Sequence, residues 1–200
     1  MRVTGPDGYW VSDDPDLLDV ARVHSWLSRE SYWAAGQPYE VTARAIKHSL
    51  SVGLYAPGGT QAGYARLVTD QATIAWLCDV FVDAASRGRG LGSFLVAQAI
   101  GHPAVAGIRQ VLMAEPGRSL YRRHGYGDLV RAERWMERPA PSARSLQELV
   151  DGDRQRADPL AGRVEDRIGN GGGHADQADL ADALDPDRVE PVGFADEEHV

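Results

Sequence analysis

The sequence predicts a mixed α/β fold followed by an acidic extension, and three observations carry that reading. Strand-like apolar runs and helix-like stretches follow one another in the order β-α-α-β-β-β-α-β-α-β over residues 9–137. A glycine-rich turn, Arg87-Gly-Arg-Gly-Leu-Gly92, joins the strand ending at Val82 to an apolar helix. Beyond Pro139 the composition shifts to Asp, Gly, Ala and Arg, and Phe194 is the one aromatic residue there.

Taken in order, Tyr9–Ser12 reads as the first strand. Ser12, Asp13 and Asp14 offer N-caps, Pro15 suits a first helical turn, and Leu17, Leu18, Ala21 and Leu27 give a broken helical stripe. Residues 28–38 are aromatic and irregular, and Tyr39–Leu50 reads as a second helix. Ser51–Ala56 and Gln61–Val68 form a hairpin around the turn Pro57-Gly-Gly-Thr60. Thr73–Val82 is a long strand that feeds the glycine-rich turn, and Gly90–Gly101 is the helix it opens. Ile108–Ala114 reads as a buried strand, and Gly117–His124 as a helix stopped by Gly125 at C′. Asp128–Val130 and Glu133–Glu137 supply the last strands. Residues 1–139 are therefore expected as one domain, and 140–200 as an acidic, disordered C-terminal tail that cannot offset its ordering entropy.

Composition excludes several classes. With 43% hydrophobic residues in 200, one sizeable core is affordable, and no run approaches the roughly 18–20 apolar residues of a membrane span. The N-terminal residues lack the apolar region of a secretory signal. Cys78 is the sole cysteine, which rules out an internal disulfide and a zinc cluster. A cytoplasmic protein with no metal and no membrane partner is expected. Residues 1–139 carry 15 Lys+Arg against 14 Asp+Glu, whereas 140–200 carry 6 Arg against 15 Asp+Glu. A near-neutral domain with an acidic tail argues against a nucleic-acid partner.

The turn itself is chemically specific. Glycines at 88, 90 and 92 let the backbone approach a ligand closely, at a helix N-terminus whose amides are unpaired and positive. Such a site suits phosphate or pyrophosphate, and Arg87 and Arg89 add charge. A Walker A loop needs a lysine, and the chain's only one is Lys47. A dinucleotide fingerprint needs a third glycine where Ser93 stands.

Val80-Phe-Val82 followed by Arg87-x-x-Gly90-x-Gly92 and the helix Phe94–Ile100 resembles the acetyl-CoA loop of the GNAT acetyltransferases. Three further blocks, Gly63–Asp70, Trp76–Val82 and Leu120–Tyr126, resemble those of a small bacterial subgroup, in the same order, so the likeness covers residues 8–138. The resemblance implies a GNAT fold: a mixed, mostly antiparallel sheet flanked by helices. It implies acetyl-CoA as co-substrate and direct attack by a primary amine, of a small molecule or a peptide, in a ternary complex. Cofactor binding then falls to the pantetheine-pairing residues Val80, Phe81 and Val82 and to the loop Arg87, Gly88, Arg89, Gly90, Leu91, Gly92 and Ser93. Tyr121 matches the tyrosine that protonates the departing thiolate. Its ordinary pKa near 10 keeps the proton in place at neutral pH. Asp79 interrupts an apolar strand and stands as a base or a water-positioning group, or merely as a hydrogen-bond acceptor for a neighbour such as Arg66. Tyr32 and Trp33 fall where the family walls its acceptor site, and Glu30 would suit a cationic amine. Many members form homodimers.

One departure stands out. Where relatives tend to have Thr-x-Asp-Ala-His-x-Leu-Tyr, this chain has Ala114-Glu-Pro-Gly-Arg-Ser-Leu-Tyr121. That loss of polar residues keeps a second reading open: a catalytically inactive acyl-CoA-binding sensor or scaffold on the same fold.

Overall fold

The computed structural model describes residues 1–114 and 117–138. The expected tail, its linker from Pro139 onward, and Glu115–Pro116 of the altered segment lie outside them. The described residues form six strands in one sheet, in sequence order: β1 (Arg2–Thr4), β2 (Trp10–Ser12), β3 (Leu50–Tyr55), β4 (Gln61–Thr69), β5 (Ile74–Val82) and β6 (Arg109–Leu112). All neighbours are antiparallel except β5 and β6, which run parallel. Helices α1 (Val20–Glu30), α2 (Tyr39–Lys47), α3 (Leu91–Ile100) and α4 (Arg118–Arg122) complete the domain.

Alternation along the strands feeds two cores. On one face Val11, Val52, Leu54, Leu67 and Leu77 meet Leu91, Leu95 and Val96 of α3. On the other, Tyr64 and Phe81 meet Val23, Trp26 and Leu27 of α1, with Ile46 of α2 packed alongside. The Trp26 and Phe81 rings stack at 5.3 Å. Burial at these positions outweighs strand and helix propensity in setting the register.

Four expectations need correction. Tyr9–Ser12 is shortened to Trp10–Ser12 and is the second strand, because Arg2–Thr4 pairs with it through a tight turn. The capping run at Ser12–Asp14 opens only a short 3-10 turn, Pro15–Leu17, in which Asp14 accepts from the Asp16 N–H. The α-helix starts at Val20, where the Asp19 carboxylate accepts the Arg22 N–H at 2.9 Å. Helix α2 ends at Lys47, three residues early, as Leu50 is drawn into β3 opposite Leu67. Neither Asp128–Val130 nor Glu133–Glu137 is a strand. Asp128 is pinned to Arg118 and Arg122, and Arg131 takes a left-handed φ of 58° at the head of a 3-10 turn.

The expected stop of α4 is present as a Schellman motif. Gly125 has φ 88°, its N–H reaches the Arg122 carbonyl, and the Tyr126 N–H reaches the Tyr121 carbonyl. Among the described residues no helix is long and apolar enough to cross a membrane.

Candidate active site

Strand β5 is paired on both sides for only part of its length. Its parallel pairing with β6 runs from Ile74 opposite Arg109 to Leu77 opposite Leu112 and stops there. From Cys78 to Val82 the strand keeps β4 on one side and leaves the other edge open. The splay between β5 and β6 opens into a cleft of about 1410 Å³.

A β-bulge sets what the open edge presents. Arg66 pairs with Cys78 and Tyr64 with Phe81, so Ala65 faces both Asp79 and Val80. Asp79 takes a left-handed φ of 53°, a conformation that aspartate tolerates better than most residues. Its carboxylate accepts the Arg66 Nε–H at 2.7 Å, both side chains being largely buried, and Arg66 also donates to Ser49 Oγ at 3.1 Å. Beyond the bulge, Val80 and Val82 pack toward the α3 core while Phe81 packs against α1. The Asp83 N–H bonds to the Ala62 carbonyl, and a Cβ on Gly63 would stand 2.8 Å from the Phe81 carbonyl oxygen. Residues 81 and 83 thus turn their polar backbone groups to β4, and by alternation Val80 and Val82 turn theirs to the open edge.

At the end of that edge lies the glycine-rich turn. Gly88 and Gly90 have φ of 79° and 75°, and Gly90 caps α3 without a side-chain bond. The first closed turn is the Phe94 N–H to the Gly90 carbonyl at 3.1 Å. The amides of Leu91, Gly92 and Ser93 precede it and have no intrahelical acceptor. Those unpaired donors at the positive end of a ten-residue helix fit a pyrophosphate.

Of the expected site residues, Asp79, Val80, Val82, Arg87, Gly88, Gly90, Leu91, Gly92, Tyr121, Tyr32 and Trp33 all line this one cleft. Four do not line it. The Phe81 side chain is buried in the second core. Arg89 points to Asp7, 3.9 Å away. Ser93 Oγ is hydrogen-bonded to His124 Nε2 at 2.8 Å, which ties α3 to the end of α4. Glu30 ends α1 exposed. Arg87 reaches the cleft with its Nε donating to the Val82 carbonyl at 2.8 Å, so it also fixes the end of β5.

Burial, with Tyr32 close by, raises the pKa of the half-buried Tyr121 phenol, so its proton is held more firmly than in water. Burial also pushes the Cys78 thiol up to about 11, which leaves it protonated at neutral pH and unsuited to nucleophilic work.

Residues 49–127 match the family model described as an acetyltransferase (GNAT) domain. A crystal structure from Xanthomonas campestris pv. campestris, of a GNAT-family protein provisionally described as an acetyltransferase, is 37% identical. It aligns over 68% of this chain and 96% of its own, with a TM-score of 0.65. The chain belongs to the GNAT acetyltransferase family. A Gibberella zeae protein, also provisionally named an acetyltransferase, is 31% identical over an alignment of 106 residues that covers 44% of this chain and 60% of that protein. The match thus spans less than two thirds of the fungal relative. A Deinococcus radiodurans structure, 19% identical, aligns over 69% of this chain and 93% of its own with a TM-score of 0.52, and so shares the fold.

Within this GNAT domain, Trp76 and Val68 also line the cleft and were not singled out from sequence. A signal was present: Trp76 lies between Ala75 and Leu77, both core-facing, so its ring must stand on the opposite face.

Proposed function

We propose that this GNAT protein transfers the acetyl group of acetyl-CoA to a primary amine by direct attack in a ternary complex. The observation that carries this reading is the one-sided pairing of β5. Its open edge runs along the cleft from Asp79 to the glycine turn, with Tyr121 lining the same space.

Acetyl-CoA would supply an activated thioester. The amides of Leu91, Gly92 and Ser93, with the turn from Arg87 to Gly90, hold its pyrophosphate. Val80 and Val82 pair with the pantetheine arm as a neighbouring strand would. The Val80 N–H, turned to the open edge, donates to the thioester oxygen as charge develops there. Asp79 accepts a hydrogen bond from the incoming amine, directly or through a water, and positions it on the carbonyl carbon. The C–N bond forms, the C–S bond breaks, the amine gives its proton to water, and Tyr121 donates its own to the thiolate. A cytoplasmic setting agrees with a lone cysteine held as a half-buried free thiol.

Calorimetry with acetyl-CoA on the full chain and on Gly90→Glu tests the cofactor site. A Cβ at Gly90 meets nothing within 4 Å, so Gly90→Glu costs the strain of a left-handed φ without a clash and sets a negative charge beside the amides that would hold the pyrophosphate. Saturable binding by the parent and none by Gly90→Glu is expected; equal binding by both would refute the assignment. Amine-dependent thiol release, with Tyr121→Phe as control, then separates turnover from the sensor reading.

A further inference from the structure

The acceptor side of the cleft has a charge and a surface of its own. Its walls lie on the α1–α2 face of the sheet, since Trp76 and Cys78 alternate with core-facing Leu77 and the loop after α1 carries Tyr32 and Trp33. Val68 and Trp76 are direct cross-strand partners on the interior strands β4 and β5, yet each is 48% exposed. Helices α1 and α2 pack on this face over Tyr64 and Phe81. Tyr32 and Trp33 meet edge to face at 5.0 Å and are 65% and 45% exposed. Open aromatic rings lining a cleft, rather than scattered singly, mark a surface for an apolar ligand.

Charge narrows the ligand further. The described residues lining the cleft include five arginines, at 66, 87, 109, 118 and 122, against two aspartates. Both aspartates are already engaged, Asp79 by Arg66 and Asp128 by Arg118 and Arg122. Glu30, the carboxylate that would draw a polycation, does not line it. A surplus of fixed positive charge suits a polyanionic co-substrate. Among the described residues it leaves no carboxylate for a second or third ammonium, and each would face arginine instead. A single amino group can still sit against Asp79 and the electron-rich faces of the rings.

We propose that the acceptor is a monoamine carried on an aromatic or other apolar body, and that polyamines and aminoglycosides are rejected. The proposal rests on the acetyltransferase reading given above. The body lies on Trp33, Trp76 and Val68, and the amino group points to the slit at Asp79.

The full chain at saturating acetyl-CoA is assayed for thiol release with 2-phenylethylamine, spermidine and tobramycin. The expected kcat/KM for 2-phenylethylamine exceeds the other two by about tenfold or more. Trp33→Ala and Trp76→Ala each raise its KM about tenfold with little change in kcat, Trp76→Phe restores it, and the acetyl-CoA Kd is unmoved. Preference for spermidine or tobramycin, or unchanged KM in both alanine variants, overturns the proposal. If no amine is turned over, saturation-transfer NMR with 2-phenylethylamine and CoA decides. Saturable binding lost in the two variants upholds the ligand class while the acetyltransferase reading fails; absence of saturable binding overturns the class as well.

Discussion

Gly90 and Gly92 stand two residues apart in one motif, yet replacing each by alanine should move stability in opposite directions. Gly90 has φ 75°, and a Cβ there finds open space, so the cost of Gly90→Ala is backbone strain alone. The left-handed region costs a non-glycine residue about 1–2 kcal/mol. Loss of unfolded-chain freedom returns about 0.4–1 kcal/mol. The net is a destabilisation of about 1 kcal/mol, or a fall of about 3–4 °C in Tm for a domain of this size. Gly92 lies inside α3 with no left-handed φ, and its Cβ would rest 4.0 Å from Leu120 Cδ2 and Val82 Cγ2, an ordinary contact. Gly92→Ala keeps the entropic gain without the strain and should stabilise by about 0.5–1 kcal/mol. Thermal and urea denaturation of the full chain reads both. The reasoning is refuted if Gly90→Ala is as stable as the parent, or if Gly92→Ala is less stable.

Two further outcomes follow from buried groups. Arg66→Met strips the partner from the largely buried Asp79 carboxylate and should cost about 3 kcal/mol in urea denaturation. Adding Asp79→Asn should recover more than half of that, and a double variant no more stable than Arg66→Met would contradict the pairing. Burial raises the Tyr55 and Tyr126 phenols to about 12, Cys78 to about 11, and Tyr64 and Tyr121 upward as well. The unfolded chain ionises these groups first, so the stability they contribute is fully present below about pH 9. It is then lost from about pH 9 to 11 for Cys78 and from about pH 10 to 12 for Tyr55 and Tyr126, at about 1.4 kcal/mol per pH unit for each group. A urea midpoint unchanged between pH 8 and pH 10.5 would refute it.

Much of the site was legible because its chemistry is local. A glycine turn that must reach left-handed angles and free helix amides is written in consecutive residues, and the structure sets both glycines and amides at one end of the cleft. Tyr121 was legible for the same reason, one turn before a glycine that ends its helix. The bulge was not. Cys78-Asp-Val-Phe-Val82 reads as a strand interrupted at Asp79, and the pairing of Ala65 with two residues is what locates the extra one. The C-terminal strands failed because short alternating runs carry little information when nothing buries one face. Leu129 and Val130 remain exposed, and the Asp128 ion pairs hold the chain instead. Glu30 lies off the cleft for a related reason: proximity in sequence to Tyr32 and Trp33 says nothing about which way a helix end points once Ser31 breaks it.

The bulge at Asp79 gives β5 an uneven count. Elsewhere on a strand a single inserted or deleted residue exchanges the two faces along the remainder, and only changes by two are silent. Here one residue is already supernumerary, and the strand after it stays in step with both cores because the bulge absorbs it. Deleting Asp79 would make the ladder regular, with Val80 opposite Ala65, Phe81 still opposite Tyr64 and Val82 opposite Gly63, so Phe81 would keep its stack on Trp26 and Val80 and Val82 their place toward α3. Val80 and Val82 would still show their polar groups to the open edge, and the loss would be the carboxylate that holds Arg66. At this point in the chain the loss of one residue is silent for the two faces, and it is felt instead by Arg66.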